Sequence, residues 1–295
     1  MRVFVTGASG FVGSAIVKEL LQAGHQVLGM VRTDSAAEEL IKAGAEVHRG
    51  NLDDLESIKK GAAQCDAVIH TAFNHDFTRY KANCENDRLV ILALGEVLAG
   101  SGHPLVITSA MGLLNYGRLV TENDTPVGSD VMPRAASEEA ANAVAGQGVN
   151  TYIVRLPLTV HDKDDHGFIP IVIGIAKEKG ESVYIGEGHN RWPAVHRLDA
   201  AVLYRLIVEK QPGQKVYHAV AEEGIPFRQI AMAIGQGVHL PTVSKDGEDA
   251  GAHFGWFKHF ATIDCPTSSE QSRKSLGWEP KHPGLFDDLI PGVYF

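Results

Sequence analysis

The chain has 295 residues, 44% hydrophobic and 21% charged, a balance that supports a buried core and excludes disordered or collagen-like polymers. Twenty-seven Lys and Arg stand against 36 Asp and Glu, a formal net charge of −9; this is the wrong sign for neutralising phosphate backbones or anionic lipid, so no nucleic acid and no membrane partner is expected. No apolar run approaches the roughly 20 residues of a bilayer span, and no basic segment followed by an apolar stretch opens the chain. Cys65, Cys84 and Cys265 form no C-x-x-C pair and no disulfide framework, so a reduced, cytoplasmic protein is expected.

Val3-Phe4-Val5 makes a short β-branched and aromatic run that ends in glycines, and residues 11–21 then show helical apolar spacing, the pattern of strand, turn and helix. Further apolar runs at 27–31, 45–48, 67–71, 105–108 and 152–154 alternate with helix-like stretches near 35–43, 55–62, 88–98 and 135–145. Runs apolar on both faces suit strands buried in a parallel sheet covered by helices. The pattern predicts an α/β fold, a doubly wound parallel sheet of the Rossmann type over residues 1–156, with 157–295 forming a smaller C-terminal substrate lobe. That second part is expected to contain helices at 168–179, 227–234 and 268–276 and a strand at 216–220, with a segment near 195–220 returning to the first domain.

Gly7, Gly10 and Gly13 lie in Thr6-Gly7-Ala8-Ser9-Gly10-Phe11-Val12-Gly13, directly after the first strand and opening the first helix. Such glycines permit a tight turn, close approach of backbone to a pyrophosphate, and close helix–strand packing, with the anion at the helix N-terminus. The second strand ends Val31-Arg32-Thr33, where a free ribose 2′-hydroxyl would call for Asp or Glu. The Arg32 guanidinium suits a 2′-phosphate through paired charge-assisted bonds, with Thr33, Ser35 and Ser9 adding hydroxyls, so NADP is the expected coenzyme. The competing reading makes Arg32 a solvated loop residue.

These motifs, with Gly50-Asn51-Leu52-Asp53-Asp54, Val68-Ile69-His70-Thr71-Ala72, Ile107-Thr108-Ser109 and Arg191-Trp192-Pro193-Ala194-Val195-His196-Arg197-Leu198-Asp199 in order along the chain, resemble the short-chain dehydrogenase/reductase superfamily. The resemblance is to its extended and atypical branch, the NAD(P)-dependent epimerase/dehydratase-like proteins. It implies that Asn51 and Leu52 line the adenine, Asn51 standing where an Asp is usual. It implies that Thr71, Ala72 and Phe73 run along the coenzyme's ribose and phosphates, and that Leu156, Pro157 and Leu158 meet the nicotinamide amide.

The resemblance also implies a Tyr-x-x-x-Lys helix with an upstream Ser or Thr, the Tyr giving the proton, the Lys lowering its pKa and the hydroxyl positioning the carbonyl. Here Arg134 stands in the Tyr position and Glu138 in the Lys position. Two readings of Arg134 stay open: a fixed charge stabilising a developing alkoxide, or an i,i+4 surface pair with Glu138. Ser109 is the expected orienting hydroxyl, with Ala110 the alternative occupant of that slot. Asp87 matches an Asn that anchors an active-site helix and water in extended relatives. Tyr116 is a candidate substitute acid or a packing residue. Arg191 matches a position that touches a nucleotide-sugar phosphate, and Trp192 and His161 are further substrate-lobe candidates. The histidines lack metal-ligand spacing, so no metal is expected.

The first functional expectation is an NADP-dependent oxidoreductase acting on a small carbonyl or alcohol, with a homodimer as the candidate assembly. The alternatives are a non-catalytic NADP-binding redox sensor or partner-binding protein, and a nucleotide-sugar epimerase or dehydratase.

Overall fold

The computed structural model covers residues 1–295. The apolar runs become strands and the periodic stretches become helices: β1 (Arg2–Thr6), α1 (Phe11–Gln22), β2 (Gln26–Val31), α2 (Asp34–Ala43), β3 (Glu46–Arg49), α3 (Leu55–Ala62), β4 (Ala67–His70), α4 (Tyr80–Leu98), β5 (Pro104–Ala110), α5 (Ala136–Gly146) and β6 (Asn150–Leu156). Beyond them come β7 (Thr159–His161), α6 (Phe168–Lys179), β8 (Ser182–Ile185), β9 (Arg191–His196), α7 (Arg197–Lys210), β10 (Val216–His218), β11 (Glu222–Pro226), α8 (Phe227–Gly237), β12 (Thr242–Lys245), α9 (Gly247–Phe254), α10 (Lys258–Ala261), α11 (Glu270–Leu276) and α12 (Leu285–Asp288).

One seven-stranded parallel sheet runs in the order β10-β6-β5-β4-β1-β2-β3. Successive side chains of a strand point to opposite faces, and β1 shows the consequence. Val3 and Val5 enter a core with α1, α2 and α7, whereas Phe4 enters a second core with α3, α4 and α5. The strand order reverses between β1 and β4, which opens the crevice where ligands bind outside the carboxyl ends of such sheets.

The smaller lobe is built on a three-stranded sheet, β11-β9-β7, and a two-stranded ribbon, β12-β8. Its core joins Ile169 and Val172 of α6 to Trp192, Phe227, Phe254 and Phe257. Parts of the chain beyond residue 195 return to the large sheet. Helix α7 packs in the core with α1, and the edge strand β10 pairs with β6. Leu276 and Trp278 also lie in that core, and the Trp278 Nε1 donates to the Asp199 carbonyl at 2.9 Å. The end of α11 therefore packs against the core of the large sheet.

The edge strand also carries a buried histidine with defined partners. Its Nδ1 donates to the Ser268 carbonyl at 2.7 Å and its Nε2 accepts from the Arg155 guanidinium at 3.3 Å, and His218 is fully buried. Burial, joined by the Arg155 charge, pushes its pKa down to about 3 against the opposing pull of the Ser268 carbonyl. A folded-state pKa below the unfolded value of roughly 6.5 means that the unfolded chain takes up the proton first. Stability is then drained as pH falls from that value towards 3. Denaturant unfolding should show His218 accounting for about 2 kcal/mol of loss between pH 7 and 5, and His218→Gln should flatten that limb. An equally steep acid limb in the variant would contradict the assignment.

Candidate active site

The glycine-rich connection from β1 to α1 is bare backbone for steric reasons. Gly7 has φ +70°, and a Cβ there would lie 2.8 Å from both the Thr71 Oγ1 and the Ala72 amide nitrogen. A Cβ on Gly13 would lie 2.0 Å from the Gly7 carbonyl oxygen. The Thr71 hydroxyl donates to the Thr6 carbonyl at 2.8 Å and so fixes the end of β4 behind this turn. Helix α1 starts at Gly10 with no side-chain cap and no acidic residue in its first turn, while α2 and α3 are capped by Thr33 and Asp54. Free amides and the positive end of the helix dipole make this turn an anion site. Ser9 and Gly10 are exposed and Phe11 and Val12 half-buried around it.

Arg32 sits at the end of β2, exposed and with no hydrogen-bonded or ionic protein partner. The neighbouring Thr33 hydroxyl accepts from the Ala36 amide at 3.3 Å and meets Ser35 at 3.2 Å, so its first task is to cap α2. The Asn51 side-chain oxygen is also occupied, accepting from the amides of Asp53 at 2.8 Å and Asp54 at 3.1 Å in the turn before α3, while Leu52 packs on the core. Leu156 packs on the first core and Leu158 on the lobe core, with Pro157 buried between them where the chain crosses.

Arg134, in the short 3-10 turn Pro133–Ala135 that leads into α5, is only 8% exposed. Its Nη1 donates to Asp87 Oδ2 at 2.7 Å and to the Ser137 hydroxyl, and its Nη2 donates to the Thr108 carbonyl at 2.9 Å. The guanidinium lies 4.2 Å from the centroid of the Phe73 ring, a cation–π contact worth about 2 kcal/mol when desolvated. Its Nε has no protein acceptor and is not sealed from solvent.

Asp87 is 1% exposed and also accepts from His70 Nε2 at 2.9 Å, while His70 Nδ1 accepts from the Thr6 hydroxyl at 2.6 Å. Burial alone would raise the Asp87 carboxyl, but Arg134, His70 and Ser137 hold it well below the usual carboxylate range. A polar chain, Thr6–His70–Asp87–Arg134, thus connects the glycine turn to the carboxyl ends of β4 and β5. His70 in the quoted β4 motif and Ser137, three residues after Arg134, are visible in the sequence, but their shared partner Asp87 lies 17 and 50 residues away from them.

Glu138, 3% exposed, does not pair with Arg134, which corrects the surface-pair reading. Its two oxygens accept from Arg155 Nε and Nη2, each at 2.8 Å, in a buried fork. The Ser109 hydroxyl is 2% exposed and donates to Glu138 Oε1 at 2.6 Å, so it supports this ion pair and does not offer itself to a carbonyl. Strand alternation puts Ala110 on the opposite face of β5. Tyr116 donates to the Thr125 carbonyl and carries Arg118 at 5.4 Å from its ring, in a loop away from Arg134's contacts.

The three substrate-lobe candidates have partners or packing within the lobe. Trp192 is fully buried in the lobe core against Phe227 and Phe168. His161 is fully buried on Asp288, 2.6 Å from its carboxylate. Arg191 is held by Asp264 through two bonds of 2.9 Å. No group of three or more His, Cys, Asp or Glu is placed to hold a metal ion. Sequence reasoning missed Arg197, which pairs with Asp162 at 2.7 Å and lies 4.7 Å over the Phe11 ring at the mouth of the glycine turn.

Comparison with known proteins agrees with this geometry. A family model described as NAD(P)H-binding matches residues 7–183. The protein belongs to that family. An uncharacterized protein of Schizosaccharomyces pombe is 49% identical over 100% of both chains. The 4-hydroxy-2-methyl-3-oxo-4-farnesyl-3,4-dihydroquinoline-1-oxide ketoreductase of Stigmatella aurantiaca is 28% identical, covering 74% of this chain and 67% of its own. The crystal structure of Thermus thermophilus UDP-glucose 4-epimerase in complex with NAD superposes with a TM-score of 0.75 at 22% identity, covering 99% of this chain and 98% of that one. The fold is that of the epimerase/dehydratase-like short-chain dehydrogenases, as the sequence motifs implied. No helix is long and apolar enough to cross a membrane.

Removing one partner of a buried ion pair strands the other charge. Asp87→Asn should lower unfolding free energy by about 3–5 kcal/mol at neutral pH, measured by urea denaturation. A loss below about 1 kcal/mol, the range of exposed pairs, would contradict the buried network.

Proposed function

We propose that the protein is an NADP-dependent oxidoreductase that interconverts a small carbonyl compound and its alcohol. The observation that carries the coenzyme choice is the exposed, unpartnered Arg32 guanidinium at the end of β2, beside a first helix turn with no cap of its own. The turn takes the diphosphate through its amides, and Arg32 takes the 2′-phosphate through paired charge-assisted bonds. The residues present fit the coenzyme, because the Gly7 cradle has no room for a side chain and Thr71 holds the adjoining strand end in register.

When bound, the reduced coenzyme supplies a hydride, two electrons with one proton, to the carbonyl carbon. Arg134 holds the carbonyl oxygen through its free Nε–H and stabilises, as a fixed positive charge, the charge that develops there. The second proton comes from water, which completes the alcohol. Asp87 and the Thr108 carbonyl fix the guanidinium beforehand, so no reorganisation accompanies the charge development. The position-setting role expected of Ser109 passes to Arg134. The Stigmatella relative is named a ketoreductase, which favours carbonyl reduction over epimerisation, and Arg191 is already neutralised by Asp264. A non-catalytic sensor is the second reading, favoured by the absence of a titratable acid at position 134.

Arg32→Ala should weaken NADPH binding by about 1–3 kcal/mol, the range for lost bonds to charged groups, while barely changing NADH; equal calorimetric losses for both coenzymes would remove the NADP assignment. Arg134→Lys should lower kcat for NADPH oxidation by roughly 100-fold, as for loss of an oxyanion donor, with NADPH still bound. Unchanged turnover would exclude Arg134. Wild-type protein that binds NADPH but turns over no aldehyde or ketone would establish the sensor.

A further inference from the structure

Aromatic side chains from both domains converge beside Arg134. Phe73, beneath the guanidinium, meets Tyr80 at 6.5 Å between ring centroids, and Tyr80 meets Phe77 at 5.7 Å. Phe77 belongs to the connection between β4 and α4, yet it stacks on Trp256 of the lobe at 5.4 Å and 29° and meets Phe260 edge-on at 5.5 Å. Phe260 is anchored in turn on Phe168 at 4.8 Å. The strip therefore runs from the buried cation to the domain boundary, where Trp256 is 58% exposed, the most exposed aromatic ring in the chain.

Two arginines of the candidate site are already paired. Arg134 is paired with Asp87, and Arg191 is gripped by both oxygens of Asp264. A diphosphate or carboxylate substrate would have to compete with those carboxylates, whereas a flat apolar group would find ring faces and edges, with stacking worth about 0.5–1.5 kcal/mol per pair beyond area burial.

We propose that the strip formed by Phe73, Phe77, Tyr80, Trp256 and Phe260 is the substrate subsite, and that it takes an uncharged ketone or aldehyde bearing an aromatic or conjugated ring. The ring lies against Phe77 and Trp256 and the carbonyl oxygen points toward Arg134. This assignment rests on the hydride-transfer reading for its chemistry, but not for its binding.

Calorimetric titration of 2-acetonaphthone into protein saturated with NADP⁺, which cannot reduce it, tests the subsite directly. Saturable binding is expected, weakened tenfold or more by Trp256→Ala and by Phe77→Ala, with NADP⁺ affinity unchanged in both variants and no binding of UDP-glucose. Intrinsic fluorescence gives a second readout, since Trp192 and Trp278 are buried at 0% and 1% exposure and Trp256 alone faces solvent. Absence of saturable ketone binding, binding indifferent to both substitutions, or UDP-glucose binding in its place would overturn the proposal. If NADP⁺ itself fails to bind, the coenzyme reading falls; the same ketone titration into coenzyme-free protein, judged by the same loss in Trp256→Ala, then decides the subsite alone.

Discussion

The amides of an α-helix's first turn have no acceptor within the helix, and at α1 the protein supplies none from a side chain. The adjacent helices solve the same problem internally, with Thr33 and Asp54. At α1 the N-cap is Gly10, which has no side chain to offer, while Gly7 and Gly13 sit where a Cβ would strike backbone and keep the turn hard against the end of β4. On the proposed reading the coenzyme's diphosphate completes this turn. The rest of the site is arranged around that requirement, with α1 aimed into the crevice where the strand order reverses and Arg32 left without a partner at the end of the next strand.

The second organising constraint is charge burial. In the family pattern a Tyr and a Lys occupy positions 134 and 138; here a cation and an anion do, and both are buried. A buried charge is tolerable only when it is paired and hydrogen-bonded. Asp87, at the position the resemblance gives to an Asn in extended relatives, supplies the carboxylate that Arg134 is paired with. Glu138 is answered by the Arg155 fork and by Ser109. The residues at 134 and 138 therefore draw on five others, Asp87, Thr108 and Ser137 for the first and Ser109 and Arg155 for the second, and on the proposed reading they offer fixed positive charge where the family pattern offers a proton donor.

Much of this was readable from local pattern. The strands of the parallel sheet and helices such as Leu55–Ala62 and Phe168–Lys179 follow directly from apolar runs and helical spacing. Helix α4 begins eight residues earlier than its apolar spacing suggests, because its first turns bury Asn83, Cys84 and Asp87, and polar residues leave no hydrophobic signature. The glycine turn and Arg32 were legible because their chemistry is local to one βα unit. The partners of Arg134, Glu138 and Ser109 were not, since they are set by tertiary packing across many residues. Trp192 looked like a site residue beside Arg191, but strand alternation turns it inward to the lobe core.

The central claim is that the uncapped turn and Arg32 together bind a phosphorylated nicotinamide coenzyme. Isothermal titration of NADPH into folded wild-type protein tests it most directly. A saturable one-site isotherm, tighter than that for NADH and weakening as salt rises, is the predicted result. No saturable heat, or equal affinity for NADH, would contradict it.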